Sequence, residues 1–231
     1  MKFNVSEVFY SIQGEGPEAG IPMVFLRFSG CNLRCSWGDL LCDTPYASWQ
    51  PETNLLDLKT VASLVSEASS ECRRIVLTGG EPTIQNNLEE LCRFFVNRGY
   101  RLSIETAGSG PIPESVSTVV LSPKLSDSIP SDISAKTMHT RNRLKFYEFV
   151  PRGDQRVYLK FVIGPDTDMK EVDQIITDLA VNPDHIYFMP LGSTEKELAE
   201  NSRRCWQEAL KRGYRYSGRL HIHTWGNCRG Y

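Results

Sequence analysis

Arg74-Ile75-Val76-Leu77-Thr78-Gly79-Gly80-Glu81-Pro82 joins a short apolar run to a glycine pair and a proline. Its apolar run is too short for a helix, and the glycine pair followed by proline ends it, so Arg74 to Thr78 reads as a strand. Upstream, Leu58 to Ala68 places Val61, Leu64, Val65 and Ala68 on one helical face. Downstream, Asn87 to Arg98 does the same with Leu88, Leu91, Cys92 and Phe95, and Gly99 stops it. Further strands are predicted at Met23–Phe28, Leu102–Glu105, Thr118–Leu121, Val157–Ile163 and His185–Met189, with a last one at Leu220–His223. Helices are predicted at Met169–Ala180 and Glu195–Arg212. Gln13 to Ile21, broken by Gly14, Gly16, Pro17 and Gly20, reads as a loop. Alternating strands and helices give an α/β fold with about six mostly parallel strands, either an incomplete β/α barrel or an open sheet. The 231 residues suit one domain, 1–231, with one core.

In such folds ligands sit at the carboxyl ends of the strands. The polar and glycine-bearing motifs fall there: Gly30-Cys31, Thr78-Gly79-Gly80-Glu81-Pro82, Glu105-Thr106 and Ser122-Pro123-Lys124. Four motifs on one rim imply one site.

Composition narrows the chemistry. Hydrophobic residues make up 40% and charged residues 23%, as in an ordinary soluble protein. No apolar run is long enough to span a membrane, and Met1 to Val5 lacks a signal-peptide core, so a cytoplasmic protein is expected. The formal charge of −2 shows no basic excess, which disfavours a nucleic-acid partner and leaves a small molecule as substrate.

Seven cysteines in such a chain do not suggest a disulfide framework. Cys31, Cys35 and Cys42 crowd one loop; Cys72, Cys92, Cys205 and Cys228 are scattered, and Cys92 and Cys205 fit helical core positions. Thiolates bind zinc or iron–sulfur clusters. A structural zinc would need a fourth ligand, and His139, His185, His221 and His223 are all distant in sequence. Three thiols instead suit a cluster with one open iron.

The run Phe28-Ser29-Gly30-Cys31-Asn32-Leu33-Arg34-Cys35-Ser36-Trp37, continued by Cys42-Asp43-Thr44, resembles the cluster loop of radical S-adenosylmethionine (SAM) enzymes. More closely, the chain resembles the 7-carboxy-7-deazaguanine synthase family. That resemblance includes Phe9 to Gly16 with its Gln13-Gly14-Glu15-Gly16, Arg27, Thr78 to Pro82, Ile104-Glu105-Thr106, Ser122-Pro123-Lys124 and Leu159-Lys160. One departure is the apparent insertion Gly38-Asp39-Leu40-Leu41, which widens the second cysteine gap; Cys42 keeps the Asp43-Thr44 that follows the third ligand in the family. Gly38 and Asp39 are turn-prone, so the extra residues are expected to bulge outward and let the chain return.

The resemblance implies a [4Fe-4S] cluster on Cys31, Cys35 and Cys42, with SAM chelated at the open iron. It implies reductive cleavage of SAM to a 5'-deoxyadenosyl radical, hydrogen abstraction from 6-carboxy-5,6,7,8-tetrahydropterin, ring contraction with loss of ammonia, and regeneration of SAM. It places SAM against Leu41, Cys42, Asp43, Gly79, Gly80, Glu81, Ser122, Pro123 and Lys124. The substrate falls to Ile12, Gln13, Gly14, Arg27, Thr78, Glu105 and His223, and Mg2+ to Thr44. A flavodoxin or ferredoxin as electron donor and a homodimer belong to the same expectation.

The residues themselves support these roles and also simpler ones. Glycine lets backbone approach a ligand closely, but Gly79-Gly80 alone would be a strand-end turn. Glu81 would accept from an ammonium, or lie solvated in a loop. Lys124 after Pro123 would otherwise be a solvent-facing charge. Arg27, set in an apolar strand, needs an anion: the substrate carboxylate, or Glu15 or Glu105. Thr44 before Pro45 is equally a turn residue. In a strand, His221 and His223 would share one face, as an edge pair or with His223 at the substrate. A glycyl-radical-enzyme activase and a non-catalytic iron–sulfur or zinc module are the competing readings. Gln13 to Gly16 and Ser122-Pro123-Lys124 speak against the activase, and the strand-end constellation against the module.

Overall fold

The computed structural model describes residues 1–231. Its strands are β1 (Lys2–Ile12), β2 (Pro22–Phe28), β3 (Ser36–Trp37), β4 (Leu40–Leu41), β5 (Leu55–Asp57), β6 (Arg74–Gly79), β7 (Arg101–Thr106), β8 (Thr118–Leu121), β9 (Arg156–Ile163), β10 (Ile186–Pro190) and β11 (Arg215–Tyr216). The helices are α1 (Leu58–Ala68), α2 (Leu88–Val96), α3 (Ile133–Arg143), α4 (Met169–Leu179), α5 (Glu195–Arg212) and α6 (Leu220–Trp225).

Nine strands form one sheet in the order β11-β10-β9-β8-β7-β6-β2-β1-β5. From β2 to β10 the six central strands pair in parallel and follow chain order. A doubly wound sheet reverses its order at a switch point, and this one does not. Its run of neighbours is that of a barrel wall, left open between β5 and β11, as the incomplete barrel expected from the sequence. The main apolar core joins the sheet to the helices, with Leu26, Ile75, Leu77, Val119 and Phe161 meeting Val61, Leu91, Phe95, Val172 and Cys205. At the carboxyl ends of the parallel strands the chain leaves a cavity, which receives all four strand-end motifs.

Several elements differ from the sequence reading, among them the short strands β3, β4, β5 and β11, which lie outside the predicted set. β1 was not expected, because its alternation breaks. Phe3, Val5 and Val8 lie against the core, and an irregularity between Val5 and Glu7 shifts the register by one residue. A bulge inserts one residue into one strand of a pair and exchanges the faces beyond it. α3 shows no apolar stripe, burying only His139 and Asn142. Leu220 to His223, expected as a strand, is instead the start of α6. Four alternating residues are too few to distinguish the periods. Here Arg219, fixed in the cavity wall, starts a helical turn whose Leu220 N–H donates to the Gly14 carbonyl at 3.1 Å.

Candidate active site

The cysteine loop begins where β2 ends. Gly30 has φ +100, in the region that favours glycine, and its carbonyl accepts from the Glu81 N–H at 2.9 Å. The four extra residues do what turn chemistry predicts. Gly38 (φ +59) and Asp39 turn the chain, and β3 pairs antiparallel with β4. The hairpin carries Cys42 back until its N–H donates to the Cys35 carbonyl at 3.2 Å. Cys31, Cys35 and Cys42 then meet in one apolar nest with Leu33, Trp37 and Ala107. Leu40 and Leu41 reach the cavity, Leu41 half exposed.

No three Cys, His, Asp or Glu side chains converge tightly enough for a single metal ion. A cubane suits the nest better, because its thiolates each ligate a different iron. Burial, reinforced by the Glu81 carboxylate, pushes the Cys31 thiol up to about 12, and burial raises Cys35 well above its ordinary value. Thiols in this environment bind iron only with release of protons. Cys92 and Cys205 are buried in α2 and α5, and Cys228 sits at the cavity rim.

The strand-end residues surround this nest. A Cβ on Gly79 would strike the Phe28 backbone, and one on Gly80 the carbonyls of Ala47 and Gly30. The glycine pair is therefore required by the protein's own packing before any ligand arrives. Glu81 is almost fully buried and accepts from Thr83 N–H and Oγ1, Thr106 Oγ1 and Ala107 N–H. Its carboxylate ties the end of β6 to the end of β7, leaving an ammonium little beyond the backbone of this turn. Lys124 Nζ donates to Ser122 Oγ at 2.8 Å, and both line the cavity; Pro123 does not. Thr44 Oγ1 lies 3.5 Å from Cys42 Sγ, while its carbonyl accepts from Ser48 Oγ and the Ala47 N–H. It is a turn residue whose hydroxyl faces the Cys42 thiol.

A second part of the cavity wall is held by charge. Glu105 accepts from Thr78 Oγ1 at 3.0 Å and Gln13 Nε2 at 3.2 Å, with Lys160 Nζ at 3.6 Å. Lys160 also pairs with Glu15 at 2.5 Å. Arg219 joins Glu15 at 2.7 Å, and pairs with Asp43 and the Gly192 carbonyl. One chain of charges thus runs from Glu105 to Asp43, beside Cys42. Burial alone would raise Glu15, but the Lys160 and Arg219 cations outweigh it and hold the carboxyl well below its usual range. Asp43 is likewise lowered, burial opposing and Arg219 prevailing. Neither Lys160 nor Arg219 is assigned a role by the sequence, because no local pattern marks a single cation that acts through remote partners.

Ile12, Gln13, Gly14 and Arg27 also line the cavity. Arg27 pairs with neither Glu15 nor Glu105 but with Glu7, at 2.6 Å. His223 departs from expectation. A helix turns about 100° per residue, so His221 and His223 point to opposite sides. His221 enters the cavity, with its imidazole where a Gly14 side chain would sit. His223 is exposed, 3.8 Å from Glu195.

The description Radical SAM superfamily matches residues 26–119. Over 98% of its length the chain is 37% identical to 7-carboxy-7-deazaguanine synthase of Rhodopirellula baltica, covering 88% of that protein. It is 33% identical to the protein of the same name from Pyrobaculum aerophilum, over 99% and 97% of the two chains. The crystal structure of QueE from Escherichia coli superposes with a TM-score of 0.66 at 21% identity, covering 96% of this chain and 95% of that one, a likeness of fold. With three thiols in the expected loop, an open parallel barrel wall and this identity along nearly its whole length, the chain belongs to the 7-carboxy-7-deazaguanine synthase family of the radical SAM superfamily.

Proposed function

We propose that the chain converts 6-carboxy-5,6,7,8-tetrahydropterin to 7-carboxy-7-deazaguanine with loss of ammonia. The observation that carries this is one cavity lined by two unlike sets of groups: three thiols with the glycine turn, and the polar set Arg27, Gln13, Thr78 and Glu105. A [4Fe-4S] cluster on Cys31, Cys35 and Cys42, with SAM bound, supplies one-electron cleavage of SAM and thereby hydrogen-atom abstraction. The Gly79-Gly80-Glu81 backbone, Ser122 and Lys124 hold SAM. Glu105 accepts from the N–H edge of the pterin, and Gln13, Thr78 and Lys160 keep that carboxylate oriented. Arg27 offers its free nitrogens to the carboxylate of the substrate. His221 replaces His223 as the histidine of this cavity. Mg2+ beside Thr44 takes one protein hydroxyl and substrate oxygens. The protein acts in the cytoplasm as a homodimer, reduced by a flavodoxin or ferredoxin.

The test is mass spectrometry of the products formed by reconstituted enzyme with SAM, reductant, Mg2+ and the carboxy-tetrahydropterin. 7-Carboxy-7-deazaguanine is expected. Its absence from a preparation that has a full cluster and binds SAM overturns the reading. Thr44→Val is expected to keep cluster and SAM while changing the Mg2+ dependence of turnover; an unchanged dependence leaves Thr44 a turn residue alone.

A further inference from the structure

Regular antiparallel pairing from Val5 opposite Phe28 would set Ser6, not Glu7, opposite Arg27. The irregularity in β1 inserts one residue, and Glu7 becomes the cross-strand partner of Arg27. Beyond it, Glu7 and Phe9 share the cavity side with Arg27 and Phe25. Bulges beside sites re-aim side chains in this way.

The contacts made there are unequal. Arg27 uses Nε alone, donating to Glu7 Oε1 at 2.6 Å; neither terminal nitrogen has a hydrogen-bond partner. Glu7 Oε1 also accepts from the Tyr46 hydroxyl at 3.1 Å, and Oε2 from Arg229 Nε at 3.0 Å. Arg229 is held in turn by both oxygens of Glu52 and by the carbonyl and hydroxyl of Ser6, the residue displaced by the irregularity. Glu7 is therefore fixed from three directions. Arg27 lies over the ring of Phe9, 5.9 Å from its centre, and Phe9 is stacked on Phe25 at 4.8 Å.

We infer that Glu7 is a positioning residue for substrate recognition: it grips Arg27 by Nε and turns the two terminal nitrogens toward the carboxylate of the substrate. Because Glu7 and a substrate carboxylate use different edges of one guanidinium, they do not compete. The inference rests on the proposed pterin substrate and adds what sets its carboxylate selectivity.

A binding cycle on cluster-loaded protein with SAM tests it, using unreactive 6-carboxypterin and pterin without the carboxylate. Loss of an aimed, charged hydrogen bond costs about tenfold to a hundredfold in affinity. Glu7→Ala is expected to weaken 6-carboxypterin by that range and unsubstituted pterin by less than about twofold. The Glu7→Ala/Arg27→Ala double variant should bind 6-carboxypterin no more weakly than Arg27→Ala alone. Glu7→Gln keeps an acceptor for Nε and should fall between Glu7→Ala and the unchanged protein; the Glu7→Gln/Arg27→Ala pair completes the cycle if Glu7→Ala does not fold. In turnover, the Glu7 variants should raise KM with little change in kcat. Equal weakening of both pterins, or multiplying losses in the double variant, overturns the inference. Failure of the unchanged protein to prefer 6-carboxypterin overturns the assigned role of Arg27, and this inference falls with it.

Discussion

The two walls of the cavity are built by opposite means. On the cysteine wall, the loop that carries the thiols is built by neighbours in sequence. Gly30 to Thr44 folds on itself through backbone bonds and a hairpin, and the Gly79-Gly80 turn packs directly on Gly30. On the charged wall, Glu15 meets Lys160 and Arg219, and Glu7 meets Arg229, across gaps of 145, 204 and 222 residues. The first wall depends on short-range turn chemistry. The second depends on ion pairs, buried at Glu15 and partly exposed at Arg229, whose partners the chain brings together only when the sheet is complete. Chemistry and stability should therefore separate between them when each is attacked.

The largest effect belongs to the cysteine wall. Cys42→Ala is expected to abolish the [4Fe-4S] absorbance and all SAM cleavage, whereas Cys72→Ala and Cys92→Ala keep both. Unfolding of the iron-free Cys42→Ala protein should stay within about 1 kcal/mol of the unchanged protein, because a half-buried thiol contributes little packing. Deletion of Gly38 to Leu41 removes a hairpin and no ligand, so the cluster should still assemble. A full cluster in Cys42→Ala, with Cys228 essential instead, would move the third ligand from the hairpin to the cavity rim.

Arg219→Leu tests the other wall. It removes the cation shared by Glu15 and Asp43, leaving Glu15 with Lys160 and Asp43 with no ion-pair partner. Breaking a buried pair from one side costs about 3–5 kcal/mol, and Lys160 should keep the loss near the lower figure. Denaturant unfolding at neutral pH measures it. Glu15→Gln in the Arg219→Leu background should recover part of the loss. A change below about 0.5 kcal/mol would mean that the chain of charges is not what holds this wall.

The division also explains what the sequence made legible. The parallel strands were readable because each is a short apolar run ended by glycine or proline, and α1, α2 and α4 between them carry clean stripes, which α3 lacks. The cysteine loop, Gly79-Gly80 and Ser122-Lys124 announced themselves as contiguous motifs at strand ends. β1 stayed hidden because its displaced residue interrupts the alternation, and that same interruption sets Glu7 opposite Arg27. α6 was misread because Leu220 to His223 is too short to distinguish the two periods, and the misreading carried His223 to the site in place of His221. Arg219 and Arg229 carry no local signature. Their charged partners lie near the other end of the chain.

α3 crosses this division, since a distant segment there supports the cysteine wall. His139 Nδ1 accepts the Arg34 N–H at 3.2 Å, next to Cys35. Ser128 Oγ gives its proton to the Leu125 carbonyl, so His139 Nε2 must donate to that oxygen, 3.2 Å away. This arrangement requires a neutral ring. Burial, with Lys124 and Arg143 nearby, lowers the His139 pKa to about 4 from an ordinary 6.5. The unfolded chain therefore takes up the proton first. Stability contributed by the neutral ring is complete above pH 6.5 and falls as the pH drops toward 4, by at most about 1.4 kcal/mol per pH unit. His221, whose pKa is also lowered by burial, adds to the same slope. His139→Asn keeps an acceptor for the Arg34 N–H and cannot titrate. Denaturant unfolding of iron-free protein between pH 7 and 5 should show a shallower slope in this variant, with the His221 part remaining. Carboxylates held low by their cations, such as Glu15 and Asp43, titrate below that interval and do not obscure it. An unchanged slope would mean that His139 is protonated in the folded protein, and that the Arg34 N–H finds its acceptor elsewhere.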